Sequence, residues 1–207
     1  MFRTRFLLCL ALGIAIQAAP RPRLGFEAHL DAPLGDLKTD LGGKIGGGLS
    51  FLASFELGPN LVLRPRAEVD VHPVSSYHRA GSHYQQRVGL NSAGLGADLL
   101  GVITGGRDHG LYWLAGAGAQ QWFQSFTTSD YTSSSSDTHT ETKKNKLSPW
   151  GALGLGWQLN RLVGLELREV VSRYDSPQGA GLQAPFNDVP TEARTSSSLQ
   201  AGVTFRW

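Results

Sequence analysis

The sequence is poor in cysteine, and its one cysteine, Cys9, lies inside an apolar run at residues 6–16. That run follows Arg3 and Arg5 and is too short to cross a membrane as a helix, so we expect residues 1–18 to be a secretory signal peptide. The mature chain would then contain no cysteine. This excludes disulfides, thiol catalysis and Cys-based metal sites.

Long apolar runs and net charge are also missing. After residue 18 no segment reaches about eighteen consecutive apolar residues, so the sequence offers no candidate transmembrane helix. The full chain has 19 Lys plus Arg and 17 Asp plus Glu, and removing Arg3 and Arg5 leaves 17 against 17. Because this balance gives no attraction to a phosphate backbone, we expect no nucleic-acid partner. Residues 19–207 are enough for one domain.

The sequence does contain a period-two alternation of apolar and polar residues, which is typical of strands with one apolar and one polar face. The alternation is clear at 24–32, 44–57, 61–71, 147–159, 161–174 and 197–207. Two further strands are predicted at 87–104 and 110–126. The first changes parity near Ser92, which predicts a β-bulge, and Pro65 predicts another because it lacks a ladder N–H. The second is apolar on both parities, which leaves its faces unassigned.

The predicted connections alternate in length along the chain. They are short at 57–60, 104–110 and 160–161, and longer at 33–43, 72–86, 127–146 and 175–195. A membrane barrel needs this alternation, since tight turns line one rim and loops the other. We therefore predict an all-β fold, an eight-stranded antiparallel up-and-down transmembrane β-barrel with short periplasmic turns and longer extracellular loops. The two longest strands exceed the about 9–11 residues needed to cross, so they should project outward.

Three features favour a barrel with its polar face inside over a soluble barrel with an apolar interior. Opposite charges nearly balance on the polar face, and we predict an ionic network that plugs the lumen, formed by Glu27, Glu56, Arg64, Arg66, Glu68, Glu166, Arg168 and Arg206. Aromatic residues on the apolar face gather near the short turns and predict an interface girdle of Phe55, Trp113 and Trp157. The last strand keeps its apolar set as far as Trp207.

With its predicted signal peptide, eight alternating strands and aromatic last residue, the sequence resembles the small outer-membrane β-barrel superfamily of the OmpA, OmpX and OmpW types. The resemblance implies an integral protein of the cell outer membrane, a monomer among outer-membrane lipids and lipopolysaccharide. It also implies periplasmic chaperones and the barrel-assembly machinery as partners. The assembly signal would be Leu199, Ala201, Val203, Phe205 and Trp207, with Trp207 in the place of the usual Phe.

The expected function is structural or interactive, namely a plugged barrel that stabilises the envelope or presents its loops in an adhesion-like role. Passage of small apolar solutes, as the OmpW type implies, is the main alternative, followed by lipid A modification and by a soluble ligand-binding barrel. Catalysis is not expected. Ser75 with His72 or His78 has no oriented acid, and the His-x-Ser of lipid A deacylases does not occur in the sequence.

The predicted loops give weaker signals. One of them contains His72, His78 and His83. Their spacing completes no known ligand set, so we interpret them as surface histidines and expect no metal or cofactor. Arg79 and Arg87 are suited to contact lipopolysaccharide phosphates. The polar, low-complexity segment 127–146 is predicted to be a mobile solvated loop.

Overall fold

The computed structural model of the chain describes residues 22–78, 84–106, 108–130, 138–177 and 191–207. These residues form β-strands joined by turns and one six-residue helix. The elements are β1 (Arg23–Leu34), α1 (Gly35–Asp40), β2 (Gly46–Gly58), β3 (Leu61–Val71), β4 (Ser75–His78), β5 (Tyr84–Val102), β6 (Gly110–Asp130), β7 (Thr138–Gln158), β8 (Val163–Pro177) and β9 (Thr191–Arg206). Among the described residues, no helix is long and apolar enough to cross a membrane.

The strands form one closed antiparallel ring. β1 pairs with β2 at one edge and with β9 at the other, from Gly25 opposite Arg206 to Leu34 opposite Ser197. β3 pairs with β2 and with β5, so the ladder returns to its start. β4 pairs with β5 directly above β3 and therefore shares its position in the ring. The ring has eight positions, and the predicted eight-stranded up-and-down barrel is confirmed.

The bulge predicted at Pro65 is not present. Pro65 lies opposite Ala97 in an unbroken ladder with β5. Its missing N–H is accommodated by a gap in the ladder with β2, which resumes in the same register at Leu63. The register shift between β2 and β3 lies next to their turn instead, between Glu56 and Gly58.

β5 and β6 carry apolar side chains on both faces, and their register shows which point inward. The ladder between them is continuous through Ser92, so the bulge predicted there is wrong. Leu95 and Trp113 lie on the outer face, where they are 67% and 38% exposed. The buried apolar residues of the two strands are Val88, Leu90, Leu100, Tyr112, Leu114, Trp122 and Phe126. The change of parity near Ser92 therefore arises because Val88 and Leu90 point into the lumen, which holds apolar as well as charged residues, whereas Leu95 points outward.

The strands continue into segments that the sequence predicts as loops. β6 pairs with β7 as far as Asp130 opposite Thr138, so the loop predicted at 127–146 is wrong for all but residues 131–137, which lie outside the described residues. This part of the chain is rich in threonine, a β-branched residue that suits strands, but its polar residues on both parities hide the alternation. The segment predicted as a loop at 33–43 contains α1.

Charged residues fill the middle of the lumen, and apolar residues cover the outside of the ring. Arg64 and Glu68 in the lumen are 0% and 2% exposed, whereas Leu30 and Leu153 on the outer face are 63% and 71% exposed. This is the inverse of a soluble protein and the arrangement of a membrane barrel. The alternative of a soluble barrel with an apolar interior is therefore excluded.

Trp150 fits inside the ring because the facing parts of β5 and β6 carry glycine. A Cβ atom on Gly96 would lie 2.3 Å from the Trp150 ring, and one on Gly118 would lie 2.7 Å from its Nε1. The Cβ position of Gly118 is also only 2.2 Å from the carbonyl oxygen of Leu95. These glycines are required by close packing of backbone and indole, and not by a turn.

Gly118→Ala should therefore destabilise the closed ring, because the new methyl group meets the Leu95 carbonyl of β5, which is fixed in the ladder. We expect a loss of about 1–3 kcal/mol, as for other overpacked sites, and a smaller folded fraction. The mobility of unboiled and boiled protein on SDS gels measures this. The matched control is Gly151→Ala, whose Cβ would find its nearest neighbour at an ordinary 3.9 Å. Equal folding of the two variants would contradict the packing argument.

The filled lumen as a candidate functional site

Arg64 lies at the centre of a buried ionic network. Its guanidinium donates to Asp98 Oδ2 from Nη2 at 2.8 Å and from Nε at 3.2 Å. On its other side Nη2 donates to Glu166 Oε2 at 2.8 Å, and Nη1 donates to Glu166 Oε1. The planar guanidinium thus binds two carboxylates at once, and it binds Glu166 in the bidentate geometry that arginine favours.

Two Arg–Glu contacts cross the full width of the lumen. β3 and β8 stand at opposite positions of the ring. Arg64 of β3 binds Glu166 of β8, and Arg168 of β8 donates from Nη2 to Glu68 Oε2 of β3 at 2.6 Å. Donor and acceptor are exchanged between the two walls, and we call this pair of contacts the cross-lumen braces. An eight-stranded ring is narrow enough for side chains from opposite walls to meet.

Arg66 joins the two braces into one network. Its Nη1 donates to Asp98 Oδ2 at 3.0 Å, and its Nε lies 3.1 Å from Glu68 Oε2. Its Nη2 donates to Ser50 Oγ at 2.8 Å and to Glu27 Oε2 at 3.3 Å. Each of these side chains is buried, so the attraction between opposite charges is screened far less than at a surface.

Tyr112 and Arg206 close the lumen on the side of the short turns. The Tyr112 hydroxyl donates to Glu166 Oε1 at 2.6 Å and accepts from Arg206 Nη2 at 3.3 Å. The Arg206 guanidinium carbon also lies 5.7 Å from the centre of the Tyr112 ring, within range of a cation–π contact. The mouth on the side of the short turns is therefore filled by side chains that are hydrogen-bonded to the braces.

Two histidines extend the network toward the opposite mouth. His29 Nε2 lies 2.8 Å from Asp70 Oδ1, and its Nδ1 lies 3.5 Å from Glu27 Oε1. His72 Nε2 lies 3.4 Å from Asp31 Oδ2. Each imidazole therefore faces at least one buried carboxylate.

The buried carboxylates of the network outnumber its arginines. The carboxylates are Glu27, Asp31, Glu68, Asp70, Asp98 and Glu166, and the arginines are Arg64, Arg66, Arg168 and Arg206. Asp31 and Asp70 face the rings of His72 and His29 instead of an arginine. Each of the six carboxylates therefore has an arginine or a histidine within ion-pair distance.

Apolar side chains fill the lumen at the outer mouth. Leu37 of α1 and Leu41 just after it are 1% and 0% exposed. They pack against inward-facing residues of three strands, namely Val88, Leu90, Trp122, Phe126 and Tyr174. The Tyr174 hydroxyl donates to Asp40 Oδ2 at 2.5 Å. We call α1 with this cluster the outer plug.

The structure brings seven of the eight predicted plug residues into the lumen network, and Glu56 lies at the mouth instead. Its Oε1 is 3.7 Å from Arg23 Nη2, and Arg23 Nη1 donates to Asp108 at 2.7 Å, which lowers the pKa of Asp108. Asp98 and Tyr112 belong to the network but are not among the residues that the sequence predicts for it. Asp98 does share the parity of the buried Ser92, but the apolar residues on both faces of β5 obscured that signal.

The prediction that His72 is a surface histidine is wrong. It is 4% exposed inside the ring, where Nδ1 lies 3.2 Å from the Leu90 carbonyl oxygen. Ser75 donates its hydroxyl to the Leu41 carbonyl, so the Ser75–His72 pair considered for catalysis is engaged elsewhere. The side chain of His78 and all of His83 lie outside what is described. No group of His, Cys, Asp or Glu in the described part of the chain could hold a metal ion.

Aromatic residues gather on the outer face near the short turns. Trp113 and Trp157 are 38% and 57% exposed, and Phe55 is half-buried. The same belt includes Phe26, Phe205 and Trp207, and the Phe26 and Phe205 rings stack with centroids 4.8 Å apart. The backbone N–H of Trp207 donates to the Leu24 carbonyl at 3.0 Å, so Trp207 continues the ladder between β9 and β1.

The wall is interrupted between β7 and β8. Their ladder runs from Gln158 opposite Gly164 to Gly151 opposite Val171, although both strands continue well beyond that pair. Pro149 lies just above the last pair and has no N–H to offer a ladder. We call the interrupted part the β7–β8 seam.

Side chains close the seam in place of backbone pairs. Ser172 Oγ donates to the Pro149 carbonyl at 3.1 Å, and Lys146 Nζ forms an ion pair with Asp175 Oδ1. Gln124 reaches across from β6 and donates to the Asp175 carbonyl. Directly behind these contacts lie Trp122 and Tyr174 of the outer plug, so the seam separates an apolar interior from the outside.

Solved structures with the same architecture are outer-membrane proteins. Ail, the attachment invasion locus protein of Yersinia pestis, aligns with a TM-score of 0.50 at 10% identity, over 90% of this chain and 97% of that chain. The fold is that of the small outer-membrane β-barrels. The N-terminal β-barrel domain of Pseudomonas aeruginosa OprF aligns at 14% identity with a TM-score of 0.48, over 90% of this chain and 98% of that chain. At 10% identity the likeness to Ail concerns the fold alone.

No protein-family model matches this sequence, and no curated protein matches it either. Three features of its own residues distinguish the chain, namely the cross-lumen braces, the outer plug and the β7–β8 seam.

Arg64→Met should strongly destabilise the barrel, because it leaves Asp98 and Glu166 buried without their main partner. Breaking a buried pair in this way costs about 3–5 kcal/mol. The free energy of unfolding in denaturant, measured on the barrel in detergent, tests this. Arg161→Met, at the exposed β7–β8 turn, is the matched control and should change the unfolding free energy little. A similar small effect of both substitutions would mean that the braces do not stabilise the ring.

Proposed function

We propose that this protein is an integral outer-membrane barrel with a closed lumen and a structural or interactive role, and that it is not a catalyst. The cross-lumen braces carry the proposal. With the outer plug above them and Tyr112 and Arg206 below, they fill the lumen from mouth to mouth with bonded side chains. A lumen of this kind leaves no open path for ions, and the exposed apolar belt requires a bilayer around it.

In this proposal the C-terminal strand has two roles. Its outer residues form the signal for the barrel-assembly machinery, namely Leu199, Ala201, Val203, Phe205 and Trp207. Because β9 pairs with β1 from Ser197 to Arg206, the same strand also closes the ring. The protein would reach the machinery with periplasmic chaperones and would then act as a monomer among outer-membrane lipids and lipopolysaccharide.

The long β6–β7 hairpin is the element that would meet other surfaces. Each strand has 21 residues, about twice the 9–11 that crossing requires, so the upper half stands beyond the membrane. Lys143 on this half has a side chain that is 74% exposed. Ail of Yersinia pestis has been solved in complex with the heparin analogue sucrose octasulfate. A sulfated glycan is therefore the first surface ligand to test on this hairpin.

Cysteine labelling should place the two rims on opposite sides of the outer membrane. Lys143→Cys on the hairpin should react with a membrane-impermeant maleimide in intact cells. Arg161→Cys in the β7–β8 turn should react only after the outer membrane is permeabilised. The unsubstituted chain is the control, because its single cysteine, Cys9, is expected to leave with the signal peptide.

Labelling of Arg161→Cys in intact cells would refute the proposed orientation. The closed lumen is tested separately with the purified barrel in a planar bilayer, where no steady ion conductance is expected. Stable open channels would contradict a filled lumen while leaving the location intact.

Passage of small apolar solutes is the second candidate function, and the β7–β8 seam favours it. The contacts that close the seam are side-chain contacts, which can open without breaking a ladder. Behind them lies the apolar outer plug. An apolar solute from the outer leaflet could then enter the ring sideways above Gly151 and Val171.

Lys146→Asp should raise the uptake of a small apolar probe such as naphthalene if the seam is an entrance. The substitution places two carboxylates in contact and replaces the ion pair with repulsion. The charge swap, Lys146→Asp with Asp175→Lys, should return uptake to the original rate and is the matched control. Equal uptake by cells with the original protein, the variant or no barrel at all would reject this candidate.

A further inference from the structure

A small cavity lies at the short-turn mouth of the lumen, on the side of the cross-lumen braces that faces the turns. Its volume is about 40 Å³, whereas a single water needs about 10–15 Å³. The cavity therefore admits a group of a few heavy atoms, and the remainder of a larger molecule would stay outside. Its polar lining includes Arg23, Glu56 and Arg206, and its apolar walls are Val62, Leu100 and Val102.

The turn between β5 and β6 covers this cavity. β1 and β6 stand at opposite positions of the ring. Even so, Arg23 at the start of β1 donates from Nη1 to Asp108 Oδ1 of this turn at 2.7 Å. The turn is thereby held across the mouth, and Gly106 becomes part of the cavity lining. Because the side chains of this ion pair are 33% and 50% exposed, the pair is weak and can open to admit a ligand.

Arg206 is the lumen arginine with the weakest pairing. Its Nη2 donates to the Tyr112 hydroxyl at 3.3 Å, and its nearest carboxylate oxygen, Glu166 Oε1, is 3.8 Å away. Glu166 is already bound by Arg64 and Tyr112. The other lumen arginines each donate to a carboxylate at 3.0 Å or less. Among the described residues, Nε and Nη1 of Arg206 have no hydrogen-bond partner, so this guanidinium has capacity for another acceptor.

We propose that the cavity binds a carboxylate, carried either by a free short acid or by the C-terminal residue of a peptide. The carboxylate accepts hydrogen bonds from Arg206 and Arg23, and a methyl-sized group beside it packs against the apolar walls. The lining carries two guanidiniums and one carboxylate, Glu56, so an anion with a single charge complements it. The inference goes beyond the proposed function and rests on it for one point, namely that this mouth faces the periplasm.

A phosphate fits the cavity less well than a carboxylate. Its tetrahedral oxygens need more room than the planar carboxylate does. A second negative charge would also meet Glu56, whose Oε1 is only 3.7 Å from Arg23 Nη2. Like charges at such short range repel, and the repulsion is stronger away from bulk water. Volume and charge therefore select the same class of ligand.

Ligand-observed NMR on the folded barrel in neutral detergent tests the proposal. The probes are acetate and alanyl-alanine, each compared with its neutral amide, and broadening of the methyl resonances measures binding. Acetate should bind about tenfold more tightly than acetamide, the worth of one charge-assisted hydrogen bond. Binding of acetate but not of alanyl-alanine would assign the site to free short acids. Binding of alanyl-alanine, but not of its amide, would assign the site to peptide ends as well.

Gly106→Leu should abolish the binding of acetate, because the new side chain enters the cavity from the turn. A Cβ atom on Gly106 would meet no neighbouring atom within 4 Å, so the variant should fold. Thr104→Leu is the matched control, since Thr104 is exposed on the same turn and does not line the cavity. It should bind acetate as the original barrel does. Arg206→Gln should remove the preference for acetate over acetamide.

Equal binding of acetate and acetamide by the original barrel would overturn the proposal and leave a cavity that holds only water. Unchanged binding of acetate by Gly106→Leu would also overturn it, because the acid would then bind elsewhere. The mobility shift on SDS gels reports the folding of each variant. Cysteine labelling reports the orientation, on which binding to the purified barrel does not depend, so a failure of this site is distinguishable from a failure of the proposed function.

Discussion

The architecture depends on pairing charge across the inside of the ring. The bilayer requires apolar residues on the outside of the ring, and the alternation of each strand then places many charged residues inside it. Buried charge is stable only when it is paired with opposite charge. The cross-lumen braces meet this demand by exchanging arginine and glutamate between β3 and β8. Arg66 then ties the braces to Asp98, Glu27 and Ser50, so that the interior acts as one connected unit.

Much of this arrangement could be predicted from the sequence where each face of a strand had one character. On β1, β2, β3, β8 and β9 the alternation located the inward charges, including Arg64, Glu166 and Arg168. On β5 and β6 it did not, because Leu90, Leu100 and Leu114 point inward beside Asp98 and Tyr112. The inside of a small barrel is defined by being filled and bonded, and not by being polar, so polarity alone cannot locate it.

The outer half was harder to predict for a different reason. Beyond the membrane the outer face of a strand meets water instead of lipid, so polar residues stand on both parities and the pattern that identifies a strand is lost while the backbone pairing continues. The Thr-rich stretch around Thr140 was therefore assigned to a loop although it pairs with β6. The outer plug could not be predicted from the sequence either, because α1 has only six residues and Leu37 is its single apolar residue. The residues that pack around Leu37 come from distant parts of the chain, so no local sequence pattern predicts them.

The outer plug has a consequence for the order of assembly. α1 follows the first strand of the chain, yet Leu37 packs against residues of β5, β6 and β8. Asp40 accepts from Tyr174 of β8 and lies 4.0 Å from Arg194 of β9. The outer plug therefore draws its contacts from strands around the ring, including the last two of the chain. It can be completed only when β8 and β9 are in place, which makes sealing of the mouth a late step of barrel closure.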